Sequence, residues 1–257
     1  MTEQFAACQF EPTIGDVDAN LETIRAVGED LPAAVTFAVF PELCVTGYDL
    51  PVVPYLGEPI PGPTTDSLVD IAAELDCQLA VGLPERDGNR YFNTTVVVSE
   101  HGVEATYRKR YLWGDETNVF EPGDGPTTVE TPLGRVGLCC CYELNFPEVG
   151  LEYARRSCDA LAVNAAWRES FLDDWNLLCR ARARDGPYYV VASNHTGDQD
   201  GREHAGHSLV ATPQGEIETS VGTEPDAASA PVTEAALERA RKRNPVRRTR
   251  IARGEWQ

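Results

Sequence analysis

Lysine is nearly absent from this chain. Only Lys109 and Lys242 occur; arginine supplies the rest of the 22 basic residues, against 41 acidic ones and a formal charge of −19. So acidic a chain repels nucleic acid, which excludes a nucleic-acid partner as an expectation. No run of about 18 apolar residues occurs, so neither a membrane-spanning helix nor a membrane partner is expected. The opening MTEQFAACQF has no basic stretch and no long apolar core, so no signal peptide is expected. Paired cysteine spacings are missing too. The eight cysteines therefore read as reduced thiols of a cytoplasmic protein rather than as a disulfide framework or a zinc site. An acidic chain almost without lysine fits a salt-loaded, halophilic cytosol, where salt screens the self-repulsion.

What is present is globular. With 257 residues and 42% hydrophobic content, the chain can bury a sizeable core in one large or two small domains. Strand-like apolar runs fall at 3–10, 34–40, 77–83, 93–99, 104–109, 135–141, 158–164, 188–194 and 207–212. Helical spacing appears over 17–27 and 66–76, and 146–156, 169–184 and 233–243 also read as helices. Residues 51–63 and 221–231 read as loops, and 239–253 as an arginine-rich tail. There is no internal repeat and no clean linker. The pattern predicts an α/β fold, a mixed sheet covered by helices.

The stretch VGLCCCYELNFPE, residues 136–148, raises a choice among Cys139, Cys140 and Cys141. Strand alternation puts Cys139 and Cys141 on one face and Cys140 on the other. Cys141 ends the apolar run where a turn into a helix begins. There a nucleophile is exposed, and backbone N–H groups can favour a thiolate and hold an oxyanion. Cys139 and Cys140 are more simply small core residues. A thiol nucleophile needs a base. None of the four histidines lies in a catalytic motif, and His195, His204 and His207 lack a metal-site pattern, so no metal is expected. GHSLV at 206–210 falls short of a serine-hydrolase elbow, and GDGPTT at 123–128 of a dinucleotide loop. Glu42 directly follows an apolar strand; partial burial there would raise its pKa into the range of a useful base. Lys109 is a lysine where arginine is the default, which points to a need for a compact ammonium.

Three motifs in this order, FPEL around Glu42, YRKRYLW around Lys109 and GLCCCYELNFPE around Cys141, resemble the nitrilase superfamily of carbon–nitrogen hydrolases. DETNVFEPGD around Glu116, NAAW at 164–167, RARARDGPYYVVASN at 180–194 and GHSLVATPQGEI at 206–217 resemble its further landmarks. The resemblance spans residues 3–218. It departs from the usual pattern at Asp185-Gly186, where Glu-Asn is usual, and at His204, where an aromatic is common.

The resemblance implies a four-layer αββα sandwich, with a core over 1–220 and a C-terminal extension over 221–257 packed on the core or on a partner subunit. It implies a thioester mechanism with Glu42 as base, Cys141 as nucleophile, Lys109 and the Tyr142 N–H at the oxyanion, and Glu116 positioning Lys109. Tyr48, Trp113, Tyr142 and Trp167 are the implied substrate-binding residues. No cofactor is implied, and the partners expected are a small amide and further copies of the chain in a homodimer or larger assembly. A small linear carboxamide leads as substrate. A carbamoyl compound or a nitrile is the alternative, and a non-catalytic binding member of the family is the alternative from another class. Arg168, Arg180 and Arg184 are candidates to clamp a substrate carboxylate.

Overall fold

The computed structural model describes residues 3–199 and 201–256, so the outer ends of the expected 1–220 and 221–257 units lie outside the described residues. The first half of the chain forms β1 (Gln4–Gln9), α1 (Val17–Glu29), β2 (Val35–Val39), the single turn α2 (Val53–Leu56), α3 (Pro63–Leu75), β3 (Gln78–Asp87), β4 (Arg90–Ser99) and β5 (Gly102–Arg108). The second half forms β6 (Thr128–Thr131), β7 (Gly134–Cys140), α4 (Pro147–Arg155), β8 (Ala160–Ala165), α5 (Leu172–Asp185) and β9 (Tyr189–Asn194). Then come the short β10 (Asp198–Gln199) and β11 (Arg202–Glu203), followed by β12 (Leu209–Ala211), β13 (Ile217–Ser220) and β14 (Asp226–Pro231). The helices α6 (Glu234–Arg243) and α7 (Val246–Ala252) close the described chain.

Two six-stranded sheets result, ordered β14-β1-β2-β3-β4-β5 and β13-β12-β9-β8-β7-β6. In each, three central strands run parallel: β1, β2 and β3 in one, β7, β8 and β9 in the other. Alternation sorts their side chains. Phe5, Ala7, Phe37 and Val39 meet Leu138, Cys140, Ala162 and Val191 between the sheets. The opposite faces carry Ala6, Cys8, Ala38 and Phe40 against Leu21 and Ile24 of α1 and Leu68 and Ile71 of α3. On the other side Cys139, Leu161 and Val163 meet Val149 and Tyr153 of α4 and Trp175 and Cys179 of α5. This is the four-layer αββα sandwich. Local chemistry sets the helix starts. Asp16 accepts from the Ala19 N–H at 3.1 Å before α1, and Pro63 opens α3.

Three expectations change. Residues 226–231 are not loop: they form β14, antiparallel to β1 from Gln4↔Pro231 to Gln9↔Asp226. The sequence DAASAP has little strand propensity, and pairing along β1 imposes the conformation. Residues 51–63 are not wholly loop either, since α2 and Pro63, the first residue of α3, lie in them. The arginine-rich stretch continues α6 and adds α7. Beyond residue 220 the chain also contributes Ala230, Val232 and Leu237 to the inner core. Among the described residues no helix is long and apolar enough to cross a membrane.

Candidate active site

The site lies beyond the carboxyl ends of the parallel strands, where open α/β sheets leave room for ligands. Glu42 follows β2. The next residue, Leu43, has φ +48°, and the loop lies flat on β3 at Gly82. A Cβ on Gly82 would stand 2.5 Å from both Leu43 N and Pro41 O, so glycine is what admits the loop. Cys141 follows β7 with φ +46° and opens a 3-10 turn over Cys141–Asn145. That left-handed backbone takes it out of strand alternation. It therefore does not share a face with Cys139 as expected. Cys139 packs toward α4 and α5, Cys140 points between the sheets, and half-buried Cys141 touches both layers.

Lys109 follows β5, and its backbone N–H donates to Asn93 O at 2.8 Å. Its ammonium donates to Glu42 Oε1 at 2.7 Å and to Glu116 Oε1 at 2.9 Å. Glu42 and Glu116 are fully buried and Lys109 is 1% exposed. Asn93 Nδ2 donates to Glu42 Oε1 at 2.7 Å and to Glu116 Oε1 at 3.2 Å. The Ala166 N–H donates to Glu42 Oε2 at 3.0 Å, and His195 Nε2 meets the Glu42 carbonyl. Tyr48 donates its hydroxyl to Glu116 Oε1 at 2.8 Å, and the Trp113 N–H reaches Glu116 Oε2 at 2.7 Å. Buried Glu143 ties the cysteine elbow to the lysine strand end. It accepts from Cys140 N–H (2.8 Å), Arg110 N–H (2.8 Å) and the Tyr107 hydroxyl (2.6 Å).

Burial and charge settle the protonation states. Burial raises the proton affinity of Glu42, but the Lys109 charge and hydrogen bond outweigh it, so the carboxyl sits below its usual range. The expected upward shift is thus reversed. Burial disfavours the Lys109 cation, and the Glu42 and Glu116 charges overcome this and push its pKa well up. Burial first, then the Glu42 charge, pushes the Cys141 thiol well above its usual range. The expectation of a favoured thiolate is corrected accordingly: the resting site holds a neutral thiol beside an ionised carboxylate.

Cys141 opens on a cavity of about 170 Å³, lined also by Tyr48, Lys109, Trp113, Tyr142 and Trp167. Glu42 and Glu116 sit behind Lys109, closed to solvent. All eight residues expected at the site therefore converge. Sequence reasoning missed the lining residues Asn145, Ala166, Phe171 and Asp174. It also missed Asn93, although an asparagine in the strand run YFNTTVVV was a signal. Of the three candidate arginines only Arg168 lines the cavity, its guanidinium 4.8 Å from the Trp113 ring centre. Arg180 and Arg184 instead donate to the carbonyls of Gly215 and Gln214. His204 packs on His195, with ring centres 4.9 Å apart. Asp185 pairs with Arg182 at 3.0 Å, and neither His204 nor Asp185 lines the cavity. Among the described residues there is no cluster of metal-type ligands.

A thiol at a strand-to-turn elbow, beside a buried carboxylate–ammonium pair in an αββα sandwich, has the surroundings a thiol nucleophile needs. The chain belongs to the carbon–nitrogen hydrolase family, whose profile matches residues 4–242. It is a hydrolase of C–N bonds. The chain is 34% identical over 197 residues to the human omega-amidase NIT2, covering 72% of this chain and 71% of the relative. To a hydrolase of Mycobacterium tuberculosis it is 33% identical over 233 residues, 82% of each chain. The structure of Saccharomyces cerevisiae Nit3, a member of the nitrilase superfamily, superposes with a TM-score of 0.87 at 25% identity, covering 95% of each chain. An amidase of the superfamily from Nesterenkonia AN1 superposes at 0.83 and 25% identity, covering 98% of this chain and 97% of the other.

Proposed function

We propose that the enzyme is an amidase for a small linear carboxamide bearing a carboxylate at its far end, acting through a thioester on Cys141. The observation that carries the substrate class is Arg168, which lines the cavity with Cys141 and Lys109, its guanidinium over Trp113 and without an ion-pair partner among the described residues. Such a fork suits a carboxylate. The human relative's description as an omega-amidase supports the same class.

Glu42 removes the thiol proton as Cys141 Sγ attacks the amide carbon. The carbonyl electrons move to oxygen, which accepts from Lys109 Nζ and the Tyr142 N–H. Two ammonium N–H groups hold Glu42 and Glu116, leaving the third for this oxyanion. Each such donor is worth about 3–4 kcal/mol in the transition state. Collapse breaks the C–N bond, and Glu42 passes its proton to the leaving nitrogen, releasing ammonia. Glu42 then takes a proton from water, which attacks the thioester; the acid leaves and the thiol regains its proton.

Ammonia release from neutral amides and from monoamides of dicarboxylic acids tests the reading. The dicarboxylate monoamides are expected to react faster, and Arg168→Met to lower their kcat/KM about 10- to 100-fold while sparing neutral amides. A preference for neutral amides untouched by Arg168→Met would sink it. Carbon dioxide released with ammonia from N-carbamoyl amino acids, at a higher kcat/KM, would move the assignment to a carbamoyl hydrolase.

A further inference from the structure

The two oxygens of Glu42 are not equivalent. Oε1 accepts from Lys109 Nζ at 2.7 Å, Asn93 Nδ2 at 2.7 Å and, third, the Cys140 thiol at 3.2 Å. Oε2 accepts the Ala166 N–H at 3.0 Å. An ionised carboxylate offers about four lone-pair positions over its two oxygens. Three donors saturate Oε1, and an open position remains on Oε2. We infer that Oε2 is the oxygen that takes and returns the catalytic proton, and that Cys140 is a positioning residue that closes Oε1 to it. The inference rests on the reading of Glu42 as base.

Cys140 suits the task chemically. It lies on the inward face of β7, beside Val136 and Leu138, 2% exposed. A thiol is apolar enough for that layer yet carries a weak S–H donor. Burial, then the Glu42 charge, pushes its pKa well up, so the S–H keeps its hydrogen. Cys140 does not line the cavity and is no second nucleophile. The other titratable groups facing Glu42 are Lys109, Glu116, Cys141, Tyr48, His195 and His204, and the substitutions below leave all of them in place. Removing the Cys140 donor opens a lone pair on Oε1. The proton affinity of Glu42 then rises, and part of the proton population rests on the oxygen turned toward Lys109.

The test is the pH dependence of kcat/KM for the full chain and for Cys140→Ala, Cys140→Ser and Glu42→Gln. For Cys140→Ala the acid limb is expected to move up by about half to one pH unit. Its kcat should fall several-fold with KM unchanged, because Cys140 touches no substrate. Cys140→Ser keeps a donor and is expected to restore the limb, which recovery of packing alone would not do. Melting temperatures separate folding from chemistry, and Cys140→Val replaces Cys140→Ala if the alanine variant does not fold. An acid limb identical in wild type and the alanine (or valine) variant overturns the role of Cys140, while an inactive Glu42→Gln leaves the base assignment standing. A fully active Glu42→Gln overturns both. Alkylation by iodoacetamide at Cys141 in wild type and variant is the expected peptide map; modification of Cys140 instead overturns the inference.

Discussion

Lys109 and the arginines of α7 are both cations in an acidic protein, and their surroundings make them different objects. Lys109 is buried between two carboxylates at 2.7 and 2.9 Å, 1% exposed. Arg247 and Arg248 stand in solvent, while Arg250 and, just past the helix, Arg253 share Glu255 at 3.1 and 2.7 Å on an open surface. Breaking a buried pair strands a charge; exposed pairs are screened and weak. The contrast teaches why one lysine is kept where arginine is the rule. A sealed site of fixed volume selects a compact ammonium, whereas the surface asks only for charge.

The most severe break of this contrast is at its buried end. Lys109→Met is expected to lower kcat at least 10³-fold and to cost about 3–5 kcal/mol of stability, since Glu42 and Glu116 lose their counter-charge. Steady-state kinetics and denaturant unfolding check both. Cys141→Ala should match the loss of turnover while keeping the fold; amidase activity surviving in it would remove Cys141 as nucleophile. Lys109→Arg keeps the charge, and the guanidinium does not fit between the carboxylates, so it too is expected to be nearly inactive. A kcat comparable to wild type would show that shape is immaterial there.

A smaller effect sharpens the contrast through pH. Burial holds His195 down to about 4 and His204 down to about 3, from 6.5. As pH falls below 6.5 the unfolded chain takes up these protons first, so the stability due to neutral imidazoles is lost between 6.5 and those lower values. Each histidine contributes a slope of about 1.4 kcal/mol per pH unit in that window. Asp185, which burial pushes up to about 6 from 3.8, opposes part of it, because its protonation favours the folded chain. The comparison with His204→Phe isolates one histidine: the variant should lose less stability between pH 6.5 and 4. Equal slopes would mean that His204 is not held neutral.

Salt should separate surface from site. The charge of −19 motivates a melting temperature that climbs toward 1 M salt, where the Debye length is about 3 Å. The turnover per folded molecule should stay within about twofold, because the ion pairs behind Lys109 see little solvent. A flat melting curve would count against surface repulsion, and a salt-dependent kcat against a sealed site. The mildest change is Arg247→Ser with Arg248→Ser, expected to move the melting temperature by no more than about 2 °C. A collapse in stability would show that α7 is held by more than its own exposed surface.

By itself the sequence determined what is local. Glu42, Lys109, Cys141 and Glu116 stand in short motifs that can be recognised along the chain, and α1 and α3 announce themselves by apolar spacing. The tertiary structure decided whatever depends on distant partners. β14 is a strand because β1 lies beside it. Cys141 leaves strand alternation because its backbone turns left-handed at the elbow. Among Arg168, Arg180 and Arg184, only the end of β8 brings one to the cavity. The sign of the Glu42 shift is decided by the tertiary structure for the same reason. Burial follows from the local apolar strand, but the ammonium that outweighs it comes from 67 residues away. The Cys140 donor comes from 98 residues away, and electrostatic balance at a buried group is a sum over space rather than over sequence.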